Sequence, residues 1–281
     1  MSPARSKPIA IRAVFYANLE SEFALIRSVV DRFPIISMDT EFPGTVIRPG
    51  PAGGGGGGRA LPLLESNYGL LKANVDRMHM IQIGLTLSDG EGNLPDFGTK
   101  CAYIWEFNFR DFDAARDVQN PDSVALLRKQ GIDFEMNRQK GADSARFGEL
   151  LMSSGLVCND EVSWVTFHCA YDFGYLVKTL TQRDLPDRLE DFLKLVRMYF
   201  GPKVFDVKHL IRFCENLYGG LDRVCKALGV ERIVGQSHQA GSDSLLTLHA
   251  FHKIRKVHFS DVARLEKYAN VLHGLDVSSK S

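Results

Sequence analysis

The chain has 281 residues, 44% of them hydrophobic, and its 34 Lys and Arg balance 34 Asp and Glu. The longest apolar run falls far short of the roughly 18–20 residues of a membrane span, and the opening MSPARSKPIA lacks the apolar stretch of a secretory signal. Zero net charge argues against a broad basic surface for nucleic acid, though not against an enzyme that grips one strand end through metals. Five cysteines with no CxxC spacing read as reduced thiols of a soluble intracellular α/β protein, not as a zinc site or a disulfide framework.

In chain order, Phe15, Leu19, Phe23, Ile26 and Val30 recur at helical spacing and predict an amphipathic helix over 10–33. PIISMDTEF predicts a short apolar strand that ends in carboxylates. The glycine-rich tract RPGPAGGGGGGRALP, at about 49–62, predicts a flexible loop, because it lacks the Lys-Ser/Thr of a phosphate-cradling loop. MIQIGLTLSD and CAYIWEFNF predict two strands around the turn-rich DGEGNLPDFGTK; with the first strand they make a three-stranded antiparallel meander. Helices follow around 123–130 and 144–154. The buried strand WVTFHCA leads into the helix DFGYLVKTL, and a helix over 189–199 precedes a strand in VFDVKHL. Helices near 211–217 and 221–228, a long helix through SLLTLHAFHKIRK and a helical stretch over 262–272 complete the chain. This order predicts one α/β domain over 1–281, a mixed sheet with helices on both faces. Ligands in such sheets sit at the carboxyl ends of strands where the connection direction switches.

The acidic residues carry the chemical signal. Asp39 and Glu41 are two apart at the end of a strand, so both point to one face. Pairs at that spacing arise roughly four times by chance in such a chain. Two co-facing carboxylates at the end of an apolar run, however, repel unless a cation lies between them. Asp172 stands where WVTFHCA meets its helix and, taken alone, reads more readily as an N-cap than as a ligand. Asp243 lies near the start of the last long helix, where the helix dipole favours an acid. His238 precedes it by five in a loop-like segment, and the other histidines show no HExxH pattern. Asp206, on the predicted strand VFDVKHL, is assigned a structural role, paired with Lys203, Lys208 or Arg212.

Together, Asp39-Thr40-Glu41, Asp172, and His238 with Asp243 resemble the DEDD superfamily of exonucleases, in the subgroup that uses histidine. MDTEFPG, NVDRMHMIQIGLTL, WEFNF, LLMSSGLV, FHCAYDFGYL, DVKHL and HQAGSDSLLT are similar, in order, to the Caf/Pop-type deadenylase subunit of the Ccr–Not complex. The polyglycine tract departs from that pattern but leaves the acids intact. The resemblance implies a ribonuclease-H-like fold and a 3′→5′ exoribonuclease that removes AMP from poly(A) tails. It implies two divalent cations, Mg²⁺ or Mn²⁺, held by Asp39, Glu41, Asp172 and Asp243, with His238 as general base. Phe42 could press on the terminal base or fill the core, and His168 and Phe167 are weaker substrate candidates. Single-stranded RNA, a Not-type scaffold and a second deadenylase with leucine-rich repeats are the implied partners, and residence is cytoplasmic with a nuclear share allowed for. Two alternatives stay open. A general exonuclease on other single-stranded nucleic acid differs in its rate on deoxy substrates. An inactive scaffold differs in binding no Mn²⁺.

Overall fold

The computed structural model describes residues 7–48, 66–259 and 265–275. Its strands are β1 (Ile9–Val14), β2 (Ile35–Glu41), β3 (Gln82–Ser88), β4 (Ala102–Asn108), β5 (Ser163–Thr166) and β6 (Val204–Asp206). They form one six-stranded sheet in the order β1-β4-β3-β2-β5-β6. The helices are α1 (Leu19–Arg27), α2 (Asn67–Val75), α3 (Pro121–Lys129), α4 (Phe134–Lys140) and α5 (Ser144–Met152). They continue with α6 (Ala170–Thr181), α7 (Leu189–Phe200), α8 (Val207–Leu210), α9 (Leu221–Leu228) and α10 (Ala240–His258). Strands β2, β3 and β4 are the expected antiparallel meander, while β5 and β6 run parallel to β2 and β1 runs parallel to β4. The mixed, ribonuclease-H-like sheet therefore changes from antiparallel to parallel at β2, the strand that carries Asp39 and Glu41.

Strand alternation gives the sheet two unlike faces. Ile36, Met38, Ile83, Leu85, Leu87, Trp105 and Phe107 point into an apolar core. Helices α1, α2, α5, α6 and α7 complete that core, through Phe23, Leu71, Phe147, Phe173 and Phe192 among others. The opposite face is small and polar beneath the start of α10. There Asp39 is in register with Gly84 and Gly84 with Glu106, and Glu41 with Gln82 and Gln82 with Asn108. The Ser37 hydroxyl donates to Ser244 O at 2.7 Å, and the Thr86 and Ser244 hydroxyls meet at 2.8 Å. Further along, α10 turns apolar and buries Leu248, Phe251 and Ile254 against Val165 and Phe205.

Gly84 sets how close α10 can come. A Cβ at this position would lie 1.9 Å from Ala240 O, so the absence of a side chain lets the first turn of α10 rest on the strand backbone. Asp243 thereby reaches the level of Asp39.

The structure departs from the sequence expectations in five places. Residues 10–33 are not one helix: β1 pairs with β4, and only Leu19, Phe23 and Ile26 lie on a buried helical face in α1. The β-branched Ile9, Ile11 and Val14 take the free edge of β4, and tertiary pairing overrides the local period. Helices α2 and α4 were not expected; each is short and is started by a side-chain cap, from Ser66 and Asp133. The strand in VFDVKHL stops at Asp206, whose carboxylate caps α8. The helix expected over 211–217 is a single 3-10 turn, Ile211–Phe213. Of the stretch 262–272, residues 262–264 lie outside the described residues, as does the glycine-rich tract 49–62, and 265–270 are a helical fragment followed by turns.

Gly84→Ala is expected to cost about 1–3 kcal/mol, the usual range for overpacking, and to shift Asp243 enough to impair the site. Urea melts and activity of the variant check this; unchanged values for both contradict the close-approach argument.

Candidate active site

The site forms where β2 ends. Asp39 and Glu41 leave the strand on the α10 face, and Thr40 between them faces the other layer. Asp172 comes from that layer, in the first turn of α6 after Cys169 at the N-cap position. Its Oδ1 accepts the Thr40 amide at 2.8 Å and the Thr40 hydroxyl at 2.7 Å. So Asp172 is not the helix cap that the sequence also allowed: it stands in the first turn, and its carboxylate is fastened to Thr40 between the two strand acids.

Asp243 comes from the α10 side. Its Oδ2 accepts the His238 amide at 2.8 Å, and its Oδ1 lies 2.6 Å from Arg232 Nη1. Arg232 also pairs with Asp222 at 2.8 Å and donates to the Ser242 hydroxyl at 2.6 Å, which anchors the segment leading to His238. His238 has a φ of 61°, uncommon for a residue with a Cβ. Its exposed ring swings over the acids. Ligand atoms of Glu41, His238 and Asp243 all lie within 4.8 Å of one another, and among the described residues this is the group so arranged. Asp39 and Asp172 share the wall of the adjoining cavity, and Asp39 is joined to this group by its electrostatic interaction with Asp243 and Glu41.

Burial and like charge dominate those electrostatics. Asp39 and Glu41 are both held protonated well above the usual carboxylate range, first by burial and then by the neighbouring acids Asp172 and Asp243. Burial raises Asp172 to about 6, against the stabilising bonds from Thr40. Burial also raises Asp243, opposed by Arg232 and the His238 amide. Glu106, two strands from Asp39 in the same row of the sheet, is raised by burial against its bond from the Gly241 amide. A pocket that makes ionised carboxylates this unfavourable is incomplete without positive charge.

Beside Asp39 and Asp172 opens a cavity of about 580 Å³, walled by Phe42, Leu71, Tyr171, His168 and His273. Phe42 stacks on Tyr171, with ring centroids 5.3 Å apart and planes 15° apart, and packs on the core as well. It thus fills the core, one of the two places the sequence left open, and lines the cavity as well. Phe167 also lines the cavity. A larger cavity, of about 1040 Å³, lies between the far half of α10 and the Gly90–Gly92 turn and holds none of the acids.

Sequence reasoning missed Thr40, Arg232, Glu106 and His273. Thr40 was in plain view between the acids; the others approach the site only through tertiary contacts. Asp206 is structural, as expected, but its partners differ. It is fully buried and accepts backbone amides. Lys208 supplies its amide while its ammonium goes to Gly219 O, and Lys203 stands 4.0 Å from Glu161.

The CAF1 family ribonuclease pattern matches residues 14–143. The probable CCR4-associated factor 1 homolog 10 of Arabidopsis thaliana is 53% identical, over 96% of this chain and 93% of its own length. Poly(A) ribonuclease pop2 of Schizosaccharomyces pombe is 44% identical, over 94% of this chain and 75% of its own length. The solved structure of S. pombe Pop2p in its Mg²⁺- and Mn²⁺-bound form superposes with a TM-score of 0.82 at 43% identity, covering 94% of this chain and 99% of that one. Yeast CAF1, co-crystallised with the NOT1 MIF4G domain, gives a TM-score of 0.75 at 34% identity, covering 94% of this chain and 96% of that one. The chain belongs to the CAF1 family of ribonucleases.

Proposed function

We propose that this chain is a metal-dependent 3′→5′ exoribonuclease that shortens poly(A) tails, with Asp39, Glu41, Asp172, Asp243 and His238 as its reacting centre. The observation that carries this reading is the convergence of four acids from both sides of the sheet, three buried and Asp39 half-buried, with Asp39 and Asp172 lining a nucleotide-sized cavity beside them. At about 580 Å³ the cavity falls in the usual size range of small-molecule sites. The names poly(A) ribonuclease and CCR4-associated factor, borne by close relatives, support adenylate as the substrate.

The donor set fits divalent cations. Carboxylate oxygens are hard ligands suited to Mg²⁺ or Mn²⁺, and burial and mutual repulsion leave these acids short of positive charge. Asp39, Glu41, Asp172 and Asp243 would hold the ions, and the Mg²⁺ and Mn²⁺ of the Pop2p structure support that identity. When bound, divalent cations supply an acidified water, a clamp on the scissile phosphate and stabilisation of the departing 3′ oxygen. The chain's own groups do the rest. Imidazole exchanges protons near neutral pH, and the exposed His238 ring beside Glu41 and Asp243 accepts the proton of the attacking water. Thr40 keeps Asp172 aimed at the site, and the His238 amide and Arg232 do the same for Asp243. Phe42 and Tyr171 offer a flat apolar wall to the terminal base, with His168 at its edge. AMP and an RNA one nucleotide shorter leave.

The yeast CAF1 pair with NOT1 supports a Not-type scaffold as a partner of this chain. A second deadenylase with leucine-rich repeats, and cytoplasmic residence with a nuclear share, complete the reading and rest on family resemblance.

Three outcomes follow from this chemistry. End-labelled RNA with a 3′ oligo(A) tail is expected to shorten stepwise from its 3′ end in Mg²⁺ or Mn²⁺, to stop within the non-A body, and to stay intact in EDTA. Asp39→Ala is expected to abolish the ladder; a variant as active as wild type sinks the assignment. His238→Ala is expected to lower kcat by roughly 10²–10⁴, the range of general acid–base catalysis, and a wild-type rate that is flat between pH 6 and 8 contradicts the role.

The acids also make a stability signature. Because their folded pKa values lie above those of the unfolded chain, the folded state binds protons more tightly. Stability without metal is therefore complete below the ordinary carboxylate range and declines as pH rises, for Asp172 up to about 6. In EDTA at pH 7.5, Asp39→Asn is expected to melt several degrees above wild type. A lower melting point for the variant contradicts the repulsion argument.

A further inference from the structure

Asp206 is a buried carboxylate that the chemistry above does not use, and it sits under the cavity wall. Its Oδ1 accepts the amides of His168 at 2.8 Å and Lys208 at 2.9 Å. Its Oδ2 accepts the His273 amide at 2.9 Å, the Cys169 amide at 3.4 Å and the Cys169 thiol at 3.3 Å. Three separate segments thus meet on one side chain: the turn into α6, the start of α8 and the segment after α10. His168 has a φ of 63°, a conformation that needs outside support in a residue with a Cβ, and Asp206 provides it. The rings of His168 and His273 then meet edge to face, with centroids 5.1 Å apart, and both line the cavity that holds Asp39 and Asp172. Gly274 has a φ of 88°, a left-handed conformation that favours glycine, and a Cβ there would stand 4.0 Å from His168 Nε2, so this turn lies beside the His168 ring. On the other side, Asn67 Nδ2 donates to Gly274 O at 2.9 Å and ties the segment to α2.

We propose that His273 is a second nucleobase-contacting residue, paired with His168, and that Asp206 is the positioning residue that sets both. The ligand is the purine of the 3′-terminal nucleotide of single-stranded RNA, and the proposal rests on the ribonuclease reading of the same site. Planar imidazoles give a purine a face and an edge to stack on, and His168 Nε2 offers a polar partner to its rim. Burial lowers the His168 pKa, against the pull of Asp206, which favours the neutral ring. Only a carboxylate can serve all these donors. An Asn at this position has one acceptor oxygen, and its NH₂ would face an N–H from either the His168 or the His273 segment.

The test measures kcat and KM on labelled oligo(A) RNA for the full chain in Mg²⁺. His273→Ala is expected to raise KM roughly five- to tenfold, toward the lower end of what one base stack contributes, with kcat within about twofold. His273→Phe, which keeps a flat ring, is expected to recover most of the loss. Asp206→Asn is expected to raise KM similarly, and the double variant should be no more than about twofold worse than the worse single one, because the two act through one contact. A folded His273→Ala with wild-type KM overturns the proposal, as do losses that multiply in the double variant or an Asp206→Asn loss confined to kcat. If Asp206→Asn does not fold, the His273 pair decides. Fluorescence anisotropy with labelled oligo(A) in EDTA separates this proposal from the ribonuclease reading. Weaker binding by His273→Ala there upholds the pocket even if wild type proves inactive, whereas equal binding rejects the pocket even if wild type cuts RNA.

Discussion

Carboxylates gathered out of water repel one another, and much of this fold can be understood as the means of gathering them anyway. Asp39 and Glu41 are co-facing because a strand has a period of two. Asp172 is fastened between them through Thr40, and Asp243 is held by the His238 amide and Arg232. Each attachment offsets part of the cost of burying a charge, yet the acids remain pushed toward their protonated forms. The arrangement becomes favourable once divalent cations enter.

Bringing acids from two layers to one point places demands on the sheet. On one face β2, β3 and β4 carry large apolar side chains and support α6, whose first turn delivers Asp172. On the other they carry Ser37, Gly84, Thr86 and Gln82, small or polar residues that let α10 settle close enough to deliver Asp243. The change from antiparallel to parallel pairing at β2 opens the space beyond its carboxyl end, where the cavity lies. Asp206 closes the neighbouring strand β6 and fixes the cavity's far wall.

Much of this was legible in the sequence. Strands β2, β3 and β4 and helices α6, α7 and α10 could be read because their apolar patterns are long and their boundaries carry turn residues. The set Asp39, Glu41, Asp172, His238 and Asp243 was legible as a motif, and the structure brings these residues together. What escaped depends on distant partners. Residues 9–14 form a strand because β4 offers a free edge, and helices α2 and α4 are too short to show a period. Arg232 and His273 had no local mark: one acts through Asp243, the other through Asp206 more than sixty residues away in sequence. The Asp206 carboxylate was expected to find cations and instead found amides, since burial at a strand end exposes it to N–H groups of incoming turns. Adenylate preference came from family resemblance, because no residue pattern encodes it.

The central claim is that these acids form a cation site, and direct titration of Mn²⁺ tests it most simply. At pH 7.5 the free-ion electron paramagnetic resonance signal of Mn²⁺ is expected to be quenched saturably by the wild-type chain. Binding is expected to weaken sharply in Asp39→Ala and in Asp243→Ala, both folded. A wild-type chain that leaves millimolar Mn²⁺ unbound, or variants that bind it as well as wild type, would contradict the account.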